Sequence, residues 1–78
     1  MYYTYIIQSL QNGRFYIGST QDLTDRIRRH QQNLSKATKG KGPWKLVYSY
    51  RSLTRSESIN LEFHIKKRGA KRFLEDFN

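Results

Sequence analysis

The chain has 78 residues, which reads as one domain spanning 1–78, and it carries 15 Lys and Arg against 6 Asp and Glu, for a formal net charge of +9. It contains no cysteine, which excludes disulfides and thiolate zinc sites and fits a reducing compartment. No apolar run is long enough to span a bilayer and no signal-peptide pattern opens the chain, so the expectation is a cytoplasmic protein with no membrane partner.

In chain order, Tyr2 to Leu10 is rich in Tyr, Ile and Thr and reads as a strand. Asn12-Gly13 is a two-residue hairpin signal of the type I′ kind, and Phe15 to Gly18 is the partner strand. With Asn12 and Gly13 in the turn, Ser9 faces Tyr16 and Ile7 faces Gly18. Tyr3, Tyr5, Ile7 and Ser9 then share a sheet face with Tyr16 and Gly18, and Thr4, Ile6, Gln8 and Leu10 share the other with Phe15 and Ile17. Ser19-Thr20-Gln21-Asp22 has the pattern of a capping box and opens a helix from about Gln21 to Asn33, with Leu23, Ile27 and Leu34 as its buried stripe. Arg26 and His30 lie four apart on a neighbouring face.

The stretch "SKATKGKGPWK" has four lysines, two glycines, one proline and no acid, and predicts a mobile cationic loop from Ser35 to Pro43. Trp44 to Tyr50 is a third strand. Thr54-Arg55-Ser56-Glu57 is a second capping box, opening a helix to about Lys67 that Gly69 ends. A last helix from Ala70 to Phe77 packs Phe73, Phe77 and Leu74. The expected fold is α+β, in the order β-β-α-β-α-α.

The charge is unevenly spread. Nine basic residues and no acid lie between Arg26 and Arg55. A sustained positive field of this kind suits a polyanion, and nucleic acid is the expected partner. On the second long helix, Leu61 and Ile65 fall on one side of the wheel and Ile59 and Phe63 on another, an apolar arc of roughly 200°. Glu62 projects from the middle of that arc. A buried carboxylate must be paired or metal-bound. One reading is an ion pair with Lys66 at i, i+4. The other is a ligand for a hard cation such as Mg²⁺.

Tyr3-Thr4-Tyr5, then Tyr16-Ile17-Gly18, Asp22-Leu23, Arg26, His30 and Glu62, form a pattern that resembles the GIY-YIG nuclease domain. The specific part is "YIGSTQDLTDRIRRH", supported by "SESINLEFHIKK", which is close to the "SRSEA…E…IK" run of the small members. The likeness is to the small stand-alone bacterial-type members and, more distantly, to the nuclease module of the excision-repair subunit that makes the 3′ incision. It covers Tyr2 to about Lys67. Two positions depart from the pattern. The first motif reads Tyr-Thr-Tyr in place of Gly-Ile-Tyr, and Ser19 follows Gly18 where some relatives carry lysine. The expectation is also that the chain lacks the extra recognition domain of many relatives.

The resemblance implies a three-stranded antiparallel sheet flanked by helices, and metal-dependent endonuclease activity, with DNA as the first expected substrate. It implies that Tyr5 and Tyr16 are the two motif tyrosines, Arg26 a phosphate clamp, His30 a second proton-handling group and Glu62 the ligand of one Mg²⁺ or Mn²⁺ ion. A free phenol ionises near pH 10, so a tyrosine base needs the metal and neighbouring cations to lower its pKa. Arg29, Lys36, Lys39, Lys41, Lys45 and Lys66 are the candidates for phosphate contacts, which give affinity without sequence choice. The competing class is a non-catalytic nucleic-acid-binding module that keeps the fold. A basic membrane-surface protein is a weaker alternative, since neither main helix opposes a cationic face to a broad aromatic one.

Overall fold

The computed structural model of the chain describes residues 1–77. Its elements are β1 (Tyr2–Ser9), β2 (Phe15–Thr20), α1 (Leu23–Gln31), β3 (Trp44–Ser52), α2 (Arg55–Arg68) and α3 (Ala70–Glu75). This is the predicted α+β order, and the three strands form one antiparallel sheet in the order β2-β1-β3. The central strand β1 is the most deeply covered, with Thr4, Tyr5, Ile6 and Ile7 all at 0% exposure.

The hairpin register is shifted by two residues from the prediction. Tyr5 pairs with Gly18 and Ile7 with Tyr16. Turn chemistry is the reason. A type I′ turn needs positive φ at both central residues, and of the pair Asn12-Gly13 only Gly13 has it, at 77°. The Ser9 hydroxyl instead accepts from the backbone N–H groups of Gln11 and Asn12 at 3.1 and 3.2 Å. Asn12 Oδ1 accepts from the N–H of Arg14 at 2.9 Å. These local bonds build a wider loop over residues 10–14, so β1 stops at Ser9, one residue before Leu10. A slip of two preserves the alternation of side chains. Tyr5 and Ile7 therefore still share a face with Tyr16 and Gly18.

The cap of α1 lies three residues beyond the predicted box. Asp22 is the N-cap, and its carboxylate accepts from the N–H of Asp25 at 3.0 Å. Ser19 and Thr20 remain in β2. The helix closes where Asn33 turns to φ 60°, with Leu34 N–H on Arg29 O at 2.8 Å and Asn33 N–H on His30 O at 3.3 Å, a Schellman closure. Leu34 is thereby carried off the helix and left 53% exposed, so of the predicted stripe only Leu23 and Ile27 pack inward. The loop predicted as mobile is tied down: Ser9 Oγ donates to Lys41 O at 2.6 Å, and Thr38 within it is buried.

Thr54 caps α2 as predicted, accepting from Glu57 N–H at 3.2 Å. The wheel overstates the buried arc of this helix. Ile65 is buried and Leu61 half-buried, but Phe63 is 72% exposed and Ile59 faces out beside it. Ser58 takes the inward place and bonds to Thr4. β3 runs on to Ser52, and α3 stops at Glu75 with Phe73 buried and Phe77 largely exposed. One face of the sheet thus packs Ile6 against Ile65, Ala70 and Phe73. The other packs Tyr5 and Ile7 against Trp44, with Tyr16, Leu23 and Ile27 around them. No helix among the described residues is long and apolar enough to cross a membrane.

Candidate active site

The second face gathers four of the residues singled out in the sequence. Tyr5 projects from β1, and its ring lies over Gly18 of β2. A Cβ at Gly18 would sit 2.5 Å from the Tyr5 hydroxyl, so the glycine is needed for this close approach. His30 comes from the last turn of α1 and is fully buried, against the ordinary expectation of a surface histidine. Its Nε2 lies 2.8 Å from Tyr5 Oη and its Nδ1 lies 2.7 Å from Thr38 Oγ1. Tyr16 completes the cluster, with its ring centroid 5.1 Å from His30 and 6.4 Å from Tyr5.

The electrostatics keep both partners of this central pair neutral near pH 7. Burial pushes the Tyr5 phenol up to about 12, and Tyr16 beside it adds to the rise, while the Arg26 charge opposes it. Burial, and then the Arg26 guanidinium, hold His30 below its usual 6.5. Arg26 therefore acts on both groups. With Arg29, Lys36, Asp25, Leu34 and Ser35 it lines a cleft of about 460 Å³. Lys39 and Lys41 are exposed on the loop that follows. Lys45 is not brought to this side: it pairs with Gln8 and so projects on the opposite face from Tyr5.

Glu62 is not in the cluster. It stands on α2, which covers the other face, and its charge still reaches Tyr5 across the sheet. Lys66 Nζ lies 2.7 Å from one carboxylate oxygen and Ser19 Oγ donates to the other at 2.8 Å. Behind Ser19 runs a ladder of hydroxyls. Ser58 Oγ donates to Ser19 Oγ at 3.1 Å and lies 2.9 Å from Thr4 Oγ1, which donates to Ser58 O at 2.9 Å. Glu62 and Ser19 line a cleft of about 470 Å³ with Thr20, Gln21, Arg55 and Ser58 among its walls. The ion pair with Lys66 foreseen as one reading of Glu62 is formed. Lys66 is thus engaged with a carboxylate.

The model of the GIY-YIG catalytic domain matches residues 1–75. The chain belongs to the GIY-YIG family. Among its relatives, a UPF0213 protein of Cronobacter sakazakii is 37% identical over 67 residues, covering 85% of this chain and 70% of that protein. A UPF0213 protein of Halalkalibacterium halodurans is 32% identical over 66 residues, covering 83% and 69%. The solution NMR structure of that same UPF0213 protein, its source given as Bacillus halodurans, aligns with a TM-score of 0.59 and 28% identity, over 96% of this chain and 81% of that one. The GIY-YIG sheet and helix order of this chain is therefore shared by a solved relative.

Two neighbours of the candidate site, Thr38 and Ser58, were not foreseen from the sequence, and Ser19 was singled out only for its place after Gly18. Ser19 was absorbed by a capping pattern that the chain uses three residues later. Its position directly after Gly18 in β2, facing α2, was the available signal. Thr38 sits in a lysine-glycine stretch with no periodicity, and nothing local marks it as buried.

Proposed function

We propose that this GIY-YIG chain is a metal-dependent endonuclease that hydrolyses phosphodiester bonds in nucleic acid, with DNA as the first substrate to test. The observation that carries the reading is the convergence of Tyr5, Tyr16, Arg26 and His30 at one point beside a cationic cleft. Arg26 clamps a phosphoryl oxygen, because guanidinium offers rigid paired donors and stays charged. Tyr16, once ionised to the phenolate, takes a proton from the attacking water. Tyr5, held neutral by burial, fills a hydrogen-bonding role, and the neutral His30 orients or passes a proton through it. Arg29, Lys36, Lys39 and Lys41 bind flanking phosphates.

The donor set for a divalent ion at Glu62 is small. Among the described residues no group of three His, Cys, Asp or Glu side chains is close enough to hold one. Mg²⁺ does not require such a group, since it is commonly held by one or two carboxylates with waters and substrate phosphates. Glu62 fits as that single carboxylate, provided Lys66 gives up its contact and Ser19 keeps the other oxygen oriented. A bound Mg²⁺ or Mn²⁺ supplies Lewis-acid stabilisation of phosphoryl charge.

A second reading is favoured by one observation. The Glu62–Lys66 pair is complete without a metal, which is what a non-catalytic binding module needs. Cleavage of labelled single-stranded, duplex and branched DNA, with RNA alongside, in Mg²⁺, Mn²⁺ and EDTA separates the two. Metal-dependent cutting lost in Glu62→Ala and Arg26→Ala supports the nuclease. Salt-dependent binding with no cutting, unchanged in Glu62→Ala, supports the binding module.

A further inference from the structure

We propose that Thr38 is a positioning residue: its hydroxyl locks His30 with the ring proton on Nδ1, so that Nε2 is left to accept from Tyr5. The starting observation is burial. Residues 36, 37, 39 and 40 are exposed, yet Thr38 between them is 1% exposed. A hydroxyl buried inside a cationic surface loop must be satisfied. It has two partners, His30 Nδ1 at 2.7 Å and the carbonyl of Ser35 at 3.5 Å.

The direction of the chain of bonds is set at its Ser35 end. A backbone carbonyl only accepts. Thr38 has one proton, and Ser35 O is the partner that can only take it. Thr38 Oγ1 must then accept from Nδ1–H. A neutral imidazole carries one N–H, so Nε2 presents its lone pair and the Tyr5 O–H donates to it. In the reverse order, Nε2–H would donate to the phenol oxygen. The Tyr5 proton would then have no acceptor among its described contacts. The loop contributes more than shape: one hydroxyl ties the segment that carries Lys36, Lys39 and Lys41 to the ring that orients Tyr5.

The consequence for cleavage rests on the nuclease reading, whereas the tautomer does not, so two measurements keep them apart. The first is the long-range ¹H–¹⁵N spectrum of the histidine rings, with exposed His64 as internal reference. The wild type should show His30 protonated on Nδ1. A wild-type Nε2–H tautomer overturns the proposal. Thr38→Val keeps the shape and removes the hydroxyl, and it should move His30 to the Nε2–H form or a mixture. Thr38→Ser should restore the wild-type spectrum. An unchanged tautomer in Thr38→Val also overturns the proposal. If Thr38→Val does not fold, the wild-type and Thr38→Ser spectra decide the matter between them.

The second measurement is turnover on the substrate found above. Thr38→Val should lower kcat by about tenfold or more, the scale seen when an outer-shell partner of a site histidine is lost, with KM changed by less than about twofold. Thr38→Ser should recover kcat. A chain that cuts nothing defeats the nuclease reading, and the ring spectra still test Thr38.

Discussion

On one side of β1, Ile6 packs against Ile65, Ala70 and Phe73. On the other, Tyr5 and Ile7 pack against Trp44 under α1. Both sides are buried to the same degree, and successive residues of one strand supply them. They differ in what burial demands. The first side carries the apolar core of Ile6, Ile65, Ala70 and Phe73, which asks for volume and should tolerate conservative exchange, with the Thr4–Ser58 hydroxyl pair on the same face. The second encloses a phenol, an imidazole and a threonine hydroxyl, each of which needs its partner. The lesson is that neighbouring residues of one strand serve different packing demands: Ile6 anchors the apolar core, and Tyr5 anchors the cluster of phenol, imidazole and hydroxyl groups.

The largest expected effect lies on the packing side. Ile65→Ala should cost about 2–5 kcal/mol of stability in denaturant titration, as a truncated and fully buried aliphatic does. Ile65→Val should cost about 0.5–1.5 kcal/mol and leave the ring spectra of His30 unchanged. A disturbed His30 in Ile65→Val would mean the two sides are not separable. On the other side, Gly18→Ala places a Cβ against the Tyr5 hydroxyl, and the ring has to move. The expected cost is about 1–3 kcal/mol, together with loss of the Tyr5–His30 bond. A Gly18→Ala protein with a native His30 spectrum would show that the ring tolerates displacement.

A smaller effect sharpens the contrast through pH. His30 titrates near 6.5 when unfolded and lower when folded. As pH falls through 6.5 the unfolded chain takes up a proton first, so the stability held by neutral His30 is present above 6.5 and lost below it. Tyr5 ionises at 10.0 when unfolded and about 12 when folded. Its contribution is therefore present below 10 and lost as pH rises towards 12. Tyr48, also raised by burial, adds to that upper limb. Thermal melts across pH should show a plateau bounded by these two limbs. His30→Gln should flatten the lower one, and Tyr5→Phe should reduce the upper one. A lower limb that persists in His30→Gln would assign it elsewhere.

What the sequence made legible follows the same division. The face shared by Tyr5 and Tyr16 was readable although the register was not, because a slip of two keeps parity. The register itself failed on Ser9 and Asn12, whose side chains bond to the turn and widen it. Thr54 was readable as a cap, whereas Ser19 was not distinguishable from Asp22, since both begin a pattern with an acid three residues on. Helical spacing placed Ile65 correctly and misplaced Phe63, because the wheel cannot tell which part of a wide arc the sheet will cover. The burial of His30 depends on Thr38 reaching back over it, a contact between segments that no local pattern reports.

The most direct test of the nuclease account is single-turnover cleavage by Tyr16→Phe, with protein in excess over labelled substrate. The exchange keeps the half-buried ring and removes only the oxygen proposed to take the proton from water. The account predicts unchanged substrate binding and a cleavage rate lower by about 100-fold or more, the scale of a lost general base. Cleavage at the wild-type rate would contradict it and remove Tyr16 from the chemistry.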